Sequence, residues 1–261
     1  MVHVLANLTR QEIGAIAPQA TALVVVAATE QHGPHLEVRV DTVLGTRVAE
    51  AAAELLADEV EVVLCPVLPF GASHHHLIYP GALSLSTDTL LRVLHDLGDS
   101  LVASGFRRIY FLGSHGGNDE VVRLAARELA LRHDVIAGAA SYWTLAWPAI
   151  LADGSAFELG RVPGHAGGFE TSLMLALAPE GVRVGAMPGR REAGRSGPTN
   201  EDPTAAGLVH RHGSWATIDG YSDDARDADA EGGRRVFDLI SREVADALAR
   251  FHRGFVPTTS A

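Results

Sequence analysis

Short β-branched runs alternate along this chain with longer segments of helical periodicity, and that alternation limits the fold more than any other feature. Ala22–Ala28 (ALVVVAA) and Val60–Val67 (VEVVLCPV) have the length and composition of buried strands. Arg108–Leu112 and Val135–Ala140 repeat the signal more weakly. Between them, Thr42–Ala57, Leu90–Ser104 and Asp119–Arg132 carry Leu, Val and Ala at helical spacing. A last helix is predicted over Ala230–His252, with Val236, Ile240, Val244 and Leu248 on one stripe. Ser86 and Thr87 are candidate caps, and Asp88 suits the positive end of the helix dipole. The pattern predicts one three-layer α/β domain over residues 1–255, with a largely parallel central sheet flanked by helices. Residues 256–261 read as a disordered tail, and Gly185–Pro203 as a long loop that serves as a lid or subunit contact.

In open α/β sheets, ligands gather beyond the carboxyl ends of the strands. Here three such strand ends are followed by histidine-bearing loops, and composition narrows what they can do. All 21 basic residues are arginine, which excludes Schiff-base lysines and lysine phosphate loops. The single cysteine, Cys65, excludes a disulfide framework, a cysteine-rich zinc site and an iron–sulfur cluster. A net charge of −11 without a basic stretch argues against nucleic acid or an anionic membrane as partner. The longest apolar run, Ala22–Ala28, is too short to span a bilayer. The N-terminus has no secretory pattern, so a cytoplasmic location is expected. Any metal must be held by Asp, Glu and the 13 histidines.

Four motifs could carry chemistry. In Thr29–Asp41 (TEQHGPHLEVRVD), Glu30 and His32 project to one side of an extended strand end, and Asp41 can return from the next helix's first turn. These donors suit Zn²⁺, Mn²⁺ or Fe²⁺, though alone they serve equally as a polar strand end and a helix cap. In Gly113–Asp119 (GSHGGND), His115 precedes two glycines and a helix start. The backbone N–H groups of Gly116 and Gly117 could orient a carbonyl. In Gly164–Ser172 (GHAGGFETS), Glu170 opens an apolar helix and is either a ligand or a dipole partner, with His165 as a proton-transfer group. In Phe70–Ser86, three successive histidines in an extended loop would point in alternating directions, so only His76 is expected to line the site. Ser73 is a substrate-contact candidate. Trp143, Trp147 and Phe169 could wall a pocket or simply pack in the core.

Together these segments resemble the creatininase (creatinine amidohydrolase) family, with EQHGPHL…D, G-x-S-x-x-H…PG, HGGN and HAG…ETS in order over residues 24–175. The resemblance implies a metal-dependent hydrolase that cleaves the C–N bond of a small cyclic amide, formamide or peptide-like substrate. It further implies a homo-oligomer, often a hexamer, and two divalent ions per chain, Zn²⁺ first, with Mn²⁺ or Fe²⁺ as alternatives. Glu30, Asp41 and His115 then serve one ion and His32 and Asp41 the other. Gly117 stands where creatininase has a glutamate ligand, and the vacancy is assigned to Glu170. His165 takes the proton-transfer position. Two readings compete: a mononuclear Fe²⁺ site of His32, Asp41 and His115, and a metal-stabilised binding protein without catalysis.

Overall fold

A computed structural model describes residues 2–188 and 213–254. Five strands, β1 (Val2–Val4), β2 (Thr21–Val26), β3 (Val62–Leu64), β4 (Arg108–Gly113) and β5 (Ile136–Ser141), form one parallel sheet in the order β1-β3-β2-β4-β5. β2 is buried along its whole length, as its unbroken apolar run requires of a central parallel strand. It pairs with β4 from Thr21–Arg108 to Val26–Gly113.

Alternate residues of the sheet feed two separate cores. Leu23, Val25, Val62, Tyr110 and Leu112 pack under α2 (Val40–Leu55), α5 (Tyr142–Asp153), α7 (Gly168–Leu177) and α8 (Ala230–Arg253). Ala22, Val24, Val26, Ile109 and Phe111 pack against α1 (Arg10–Ile16), α3 (Thr87–Ala103) and α4 (Asp119–Arg132). The short α6 (Ser155–Leu159) joins the first group. The result is the expected three-layer α/β sandwich with a parallel sheet. α2 leaves β2 toward β3 on one face, whereas α3 and α4 run on the other face toward β4 and β5. The strand order therefore reverses beside β2 and β4, which is where such sheets bind ligands.

The predicted helices agree with α2, α3, α4 and α8 within a few residues, and Ser86 caps α3 by accepting the Thr89 N–H. β1, α1 and α5 are additional to the sequence reading. α5 contains Pro148 and is apolar on most sides, so neither a helical stripe nor an uninterrupted run announces it. The proposed loop at Gly185–Pro203 lies outside the described residues from 189 onward, as does the tail 256–261. No helix among the described residues is long and apolar enough to cross a membrane.

Candidate metal centre

The carboxyl end of β2 runs through buried Ala27 and Ala28 to Glu30 and His32, both with no exposed surface. β4 delivers His115 two residues beyond its last pairing. Asp41 sits in the first turn of α2 and Glu170 in the first turn of α7, with His165 just before it. The segment after β3 adds Ser73, His75 and His76. The structure thus brings Glu30, His32, Asp41, His115, His165 and Glu170 into one buried cluster.

Glu30 Oε1 is surrounded by His115 Nδ1 at 3.2 Å, His76 Nε2 at 3.4 Å and His165 Nδ1 at 3.5 Å. Asp41 stands between the two halves. Its Oδ1 is 3.5 Å from His32 Nε2, and its Oδ2 is 3.5 Å from His115 Nδ1. Glu170 Oε2 lies 3.7 Å from His32 Nε2 and accepts the Ala166 N–H at 2.5 Å.

Ring orientation decides what these contacts mean. His32 Nδ1 lies 3.2 Å from the Glu30 carbonyl, His115 Nε2 3.4 Å from the Ala72 carbonyl, and His165 Nε2 2.8 Å from the Gln31 carbonyl. A carbonyl oxygen can only accept, so in each ring the outer nitrogen carries the hydrogen. The inner nitrogen then turns its lone pair toward a carboxylate, a repulsive arrangement unless a proton or a cation lies between. Metal-ligating histidines are held in this way by carbonyl partners.

The electrostatics follow from the same crowding. Burial works against charge on His32, yet Glu170, Asp41 and Glu30 outweigh it and hold the ring near a pKa of about 10. His115 is likewise buried but is held at about 9, chiefly by Glu30. Burial raises Glu170 to about 8, and burial together with Glu30 raises Asp41. For Glu30, burial is overcome by His115, His76 and His165, and its carboxyl falls well below the usual range. His165 and His76 differ: burial, then His76 and His32, keep His165 neutral, well below 6.5, and burial lowers His76 to about 3.

Both Glu30 oxygens, His32 Nε2 and Asp41 Oδ2 are buried without a hydrogen-bond partner among the described residues. Leaving such groups unsatisfied is costly. Separations of 3.2–3.7 Å are close to the edge of a tetrahedron with bonds of about 2.0–2.2 Å. Three sets have donor atoms within 4.8 Å of one another: His32, Asp41 and Glu170; Glu30, His32 and His165; Glu30, His75 and His115. Carboxylate and imidazole donors in this mixture fit zinc, manganese or ferrous iron.

The remaining expected residues are placed as follows. Ser73 is buried with Oγ 3.3 Å from His115 Nε2. Gly116 and Gly117 open a 3-10 turn directly after His115, with Gly116 exposed. Trp143 packs edge-to-face on Tyr142 in the core, and Trp147 and Phe169 are also core residues. His76 lines the cluster as expected, but the extended-loop reading of the three histidines is corrected. His74–His76 form a 3-10 turn, whose tighter winding puts the His75 and His76 rings side by side at 4.2 Å.

Three contributors were not singled out from sequence. The Gln31 amide is oriented by the Gly33 N–H and the Gly220 carbonyl, and it donates to His76 Nδ1 at 2.9 Å. Trp215 packs on His76, His75 and His165 at 4.5, 5.2 and 5.2 Å between ring centroids. Asn118 accepts the Ala72 N–H and donates to the Val26 and Ala27 carbonyls, tying the His75 segment to the end of β2. Gln31 and Asn118 lay inside motifs, and Trp215 did not.

Residues 6–248 match the family Creatininase, creatinine amidohydrolase. A mycofactocin precursor peptide peptidase of Mycobacterium ulcerans is 31% identical over 239 residues, covering 89% of this chain and 86% of that protein. A creatinine amidohydrolase of Pseudomonas putida is 34% identical over 169 residues, covering 59% and 63%. The crystal structure of creatinine amidohydrolase superposes with a TM-score of 0.75 at 29% identity, covering 98% of both chains. A manganese form of creatininase gives 0.76 at 28% identity, over 97% of this chain and all of that one. The chain belongs to the creatininase family, whose members are hydrolases acting on amide bonds.

Proposed function

We propose that this chain is a metal-dependent amidohydrolase that cleaves the C–N bond of a small cyclic amide, formamide or peptide-like substrate. One observation carries the reading: three inner imidazole nitrogens, each fixed by a backbone carbonyl on its far side, face buried carboxylates. Glu30, Asp41 and His115 would hold one divalent cation, and His32, Asp41 and Glu170 a second, with Asp41 shared. Bound there, such cations supply a Lewis acid for the amide carbonyl and make water acidic enough to be a nucleophile near neutral pH.

The chain's own groups supply the rest. His165 is neutral, its Nε2–H is committed to the Gln31 carbonyl, and its Nδ1 is left facing Glu30. That nitrogen can take a proton during attack and return it to the leaving amine, the ordinary cycle of a general base that becomes a general acid. Trp215 packs nearly perpendicular to the same ring, with centroids 5.2 Å apart. Peptide-like amides deserve first place in a screen, because relatives named as peptide peptidases match nearly the full chain.

Asp41→Asn tests the reading, since one substitution weakens both cation positions. The variant is expected to lose bound metal, measured by elemental analysis, and to lose at least about 100-fold in hydrolysis of any amide the wild type cleaves. Full metal content with normal turnover would overturn it.

A further inference from the structure

We infer that His75 is a ligand of the cation held by Glu30 and His115, and that Gly117 is the residue that admits it. The inference rests on the cation reading above and concerns a side chain that reading does not use. A ring nitrogen of His75 and the donor atoms of Glu30 and His115 all lie within 4.8 Å of one another. The ring is not free to swing. It lies parallel to His115 with centroids 5.5 Å apart and planes 5° from each other, 4.2 Å from His76 and 5.2 Å from Trp215. It is half-buried, whereas Glu30 and His115 are buried.

Gly117 explains how a second imidazole fits beside His115. A Cβ at this position would lie 2.4 Å from the Ala72 carbonyl oxygen, 2.5 Å from His115 Nε2 and 3.1 Å from His75 Cε1. The backbone there is not left-handed, so space alone demands glycine. The volume a side chain would fill is bounded by the two rings themselves. The neighbouring His74 has a different fate: it is exposed, with Nδ1 3.1 Å from Ser84 Oγ. An added imidazole makes this half of the cluster richer in nitrogen and favours zinc or cobalt over manganese there.

The test is titration of the cation-free full chain with Co²⁺, followed by visible absorption, together with Zn²⁺ affinity by chelator competition. Wild type is compared with His75→Ala, His75→Gln, His74→Ala and Asp41→Asn, and circular dichroism confirms that each is folded. Both His75 variants are expected to lose at least about tenfold in affinity for one cation, a loss that even outer-shell partners typically produce, and to shift the cobalt bands. His74→Ala should match wild type. Wild-type affinity and spectrum in both His75 variants, with cation loss in Asp41→Asn, overturn the inference alone. Absence of cation binding in wild type overturns the metal reading and the inference with it.

Discussion

Glu30 is a fully buried carboxylate ringed by imidazoles, and His32 and His115 are held protonated against the cost of burial. Protons therefore stand in for cations when none is bound, and binding must expel them. With His32 at about 10 and His115 at about 9, both rings carry protons at neutral pH in the cation-free chain, and burial raises Glu170 as well. Raising the pH removes the competing protons, so zinc affinity is expected to climb steadily between about pH 6.5 and 8.5. Calorimetry in buffers of different ionisation enthalpy reads the protons released, and a flat profile would contradict this coupling. Asn118 makes a second residue-scale prediction. It is fully buried and satisfies three backbone groups, so Asn118→Ala should cost about 1–3 kcal/mol in urea unfolding. Glu30, His32, Asp41, His115, His165 and Glu170 were legible because charged or imidazole side chains at strand ends and in helix first turns are conspicuous. His75 was not, because alternation in an extended loop pointed it away and only the 3-10 turn reverses that. Gln31 sits between two motif residues with the wrong parity, and Trp215 lies far along the chain without any neighbouring signal.

At the scale of elements, the placement of Glu170 depends on how closely α7 meets α8. A Cβ on Gly233, in the second turn of α8, would lie 2.0 Å from the Ser172 carbonyl oxygen of α7. Helix propensity alone predicts that Gly233→Ala stabilises by about 1 kcal/mol. The packing predicts the opposite sign, a loss of about 1–3 kcal/mol, because two backbones must separate. Urea denaturation distinguishes the two, and a stabilised variant would show that the close approach is dispensable. The apolar stripe of α8 was readable because Val236, Ile240, Val244 and Leu248 are spaced for one face, and all four are buried. β1, with three residues, is too short to give a period. α1 did carry a signal: Thr9 and Glu12 form a reciprocal capping box, but its seven residues include glycine and show no apolar stripe.

For the whole molecule, donors from residues 30 to 170 are gathered by the sheet, so a cation held there would bind the folded chain and hardly the unfolded one. A cation at about 100 times its dissociation constant then adds about 2.7 kcal/mol, which raises the melting temperature by about 5–10 °C in a chain of this size. Chelator should reverse the shift in wild type and leave Asp41→Asn unmoved, as differential scanning fluorimetry can show. The three-layer architecture was legible as a whole because β2 and its neighbours are continuous apolar runs separated by patterned helices. The reversal of strand order was not, since pairing partners are set by packing across the sheet rather than by local sequence. That strand order also bears on biosynthesis. β2 obtains its longest pairing only once β4 has been made, and α7 packs beneath α8, which ends at Arg253. Glu30, His32 and Asp41 thus leave the ribosome long before the segments that enclose them exist. Metal loading is expected to be an act on the finished chain rather than a step in its synthesis.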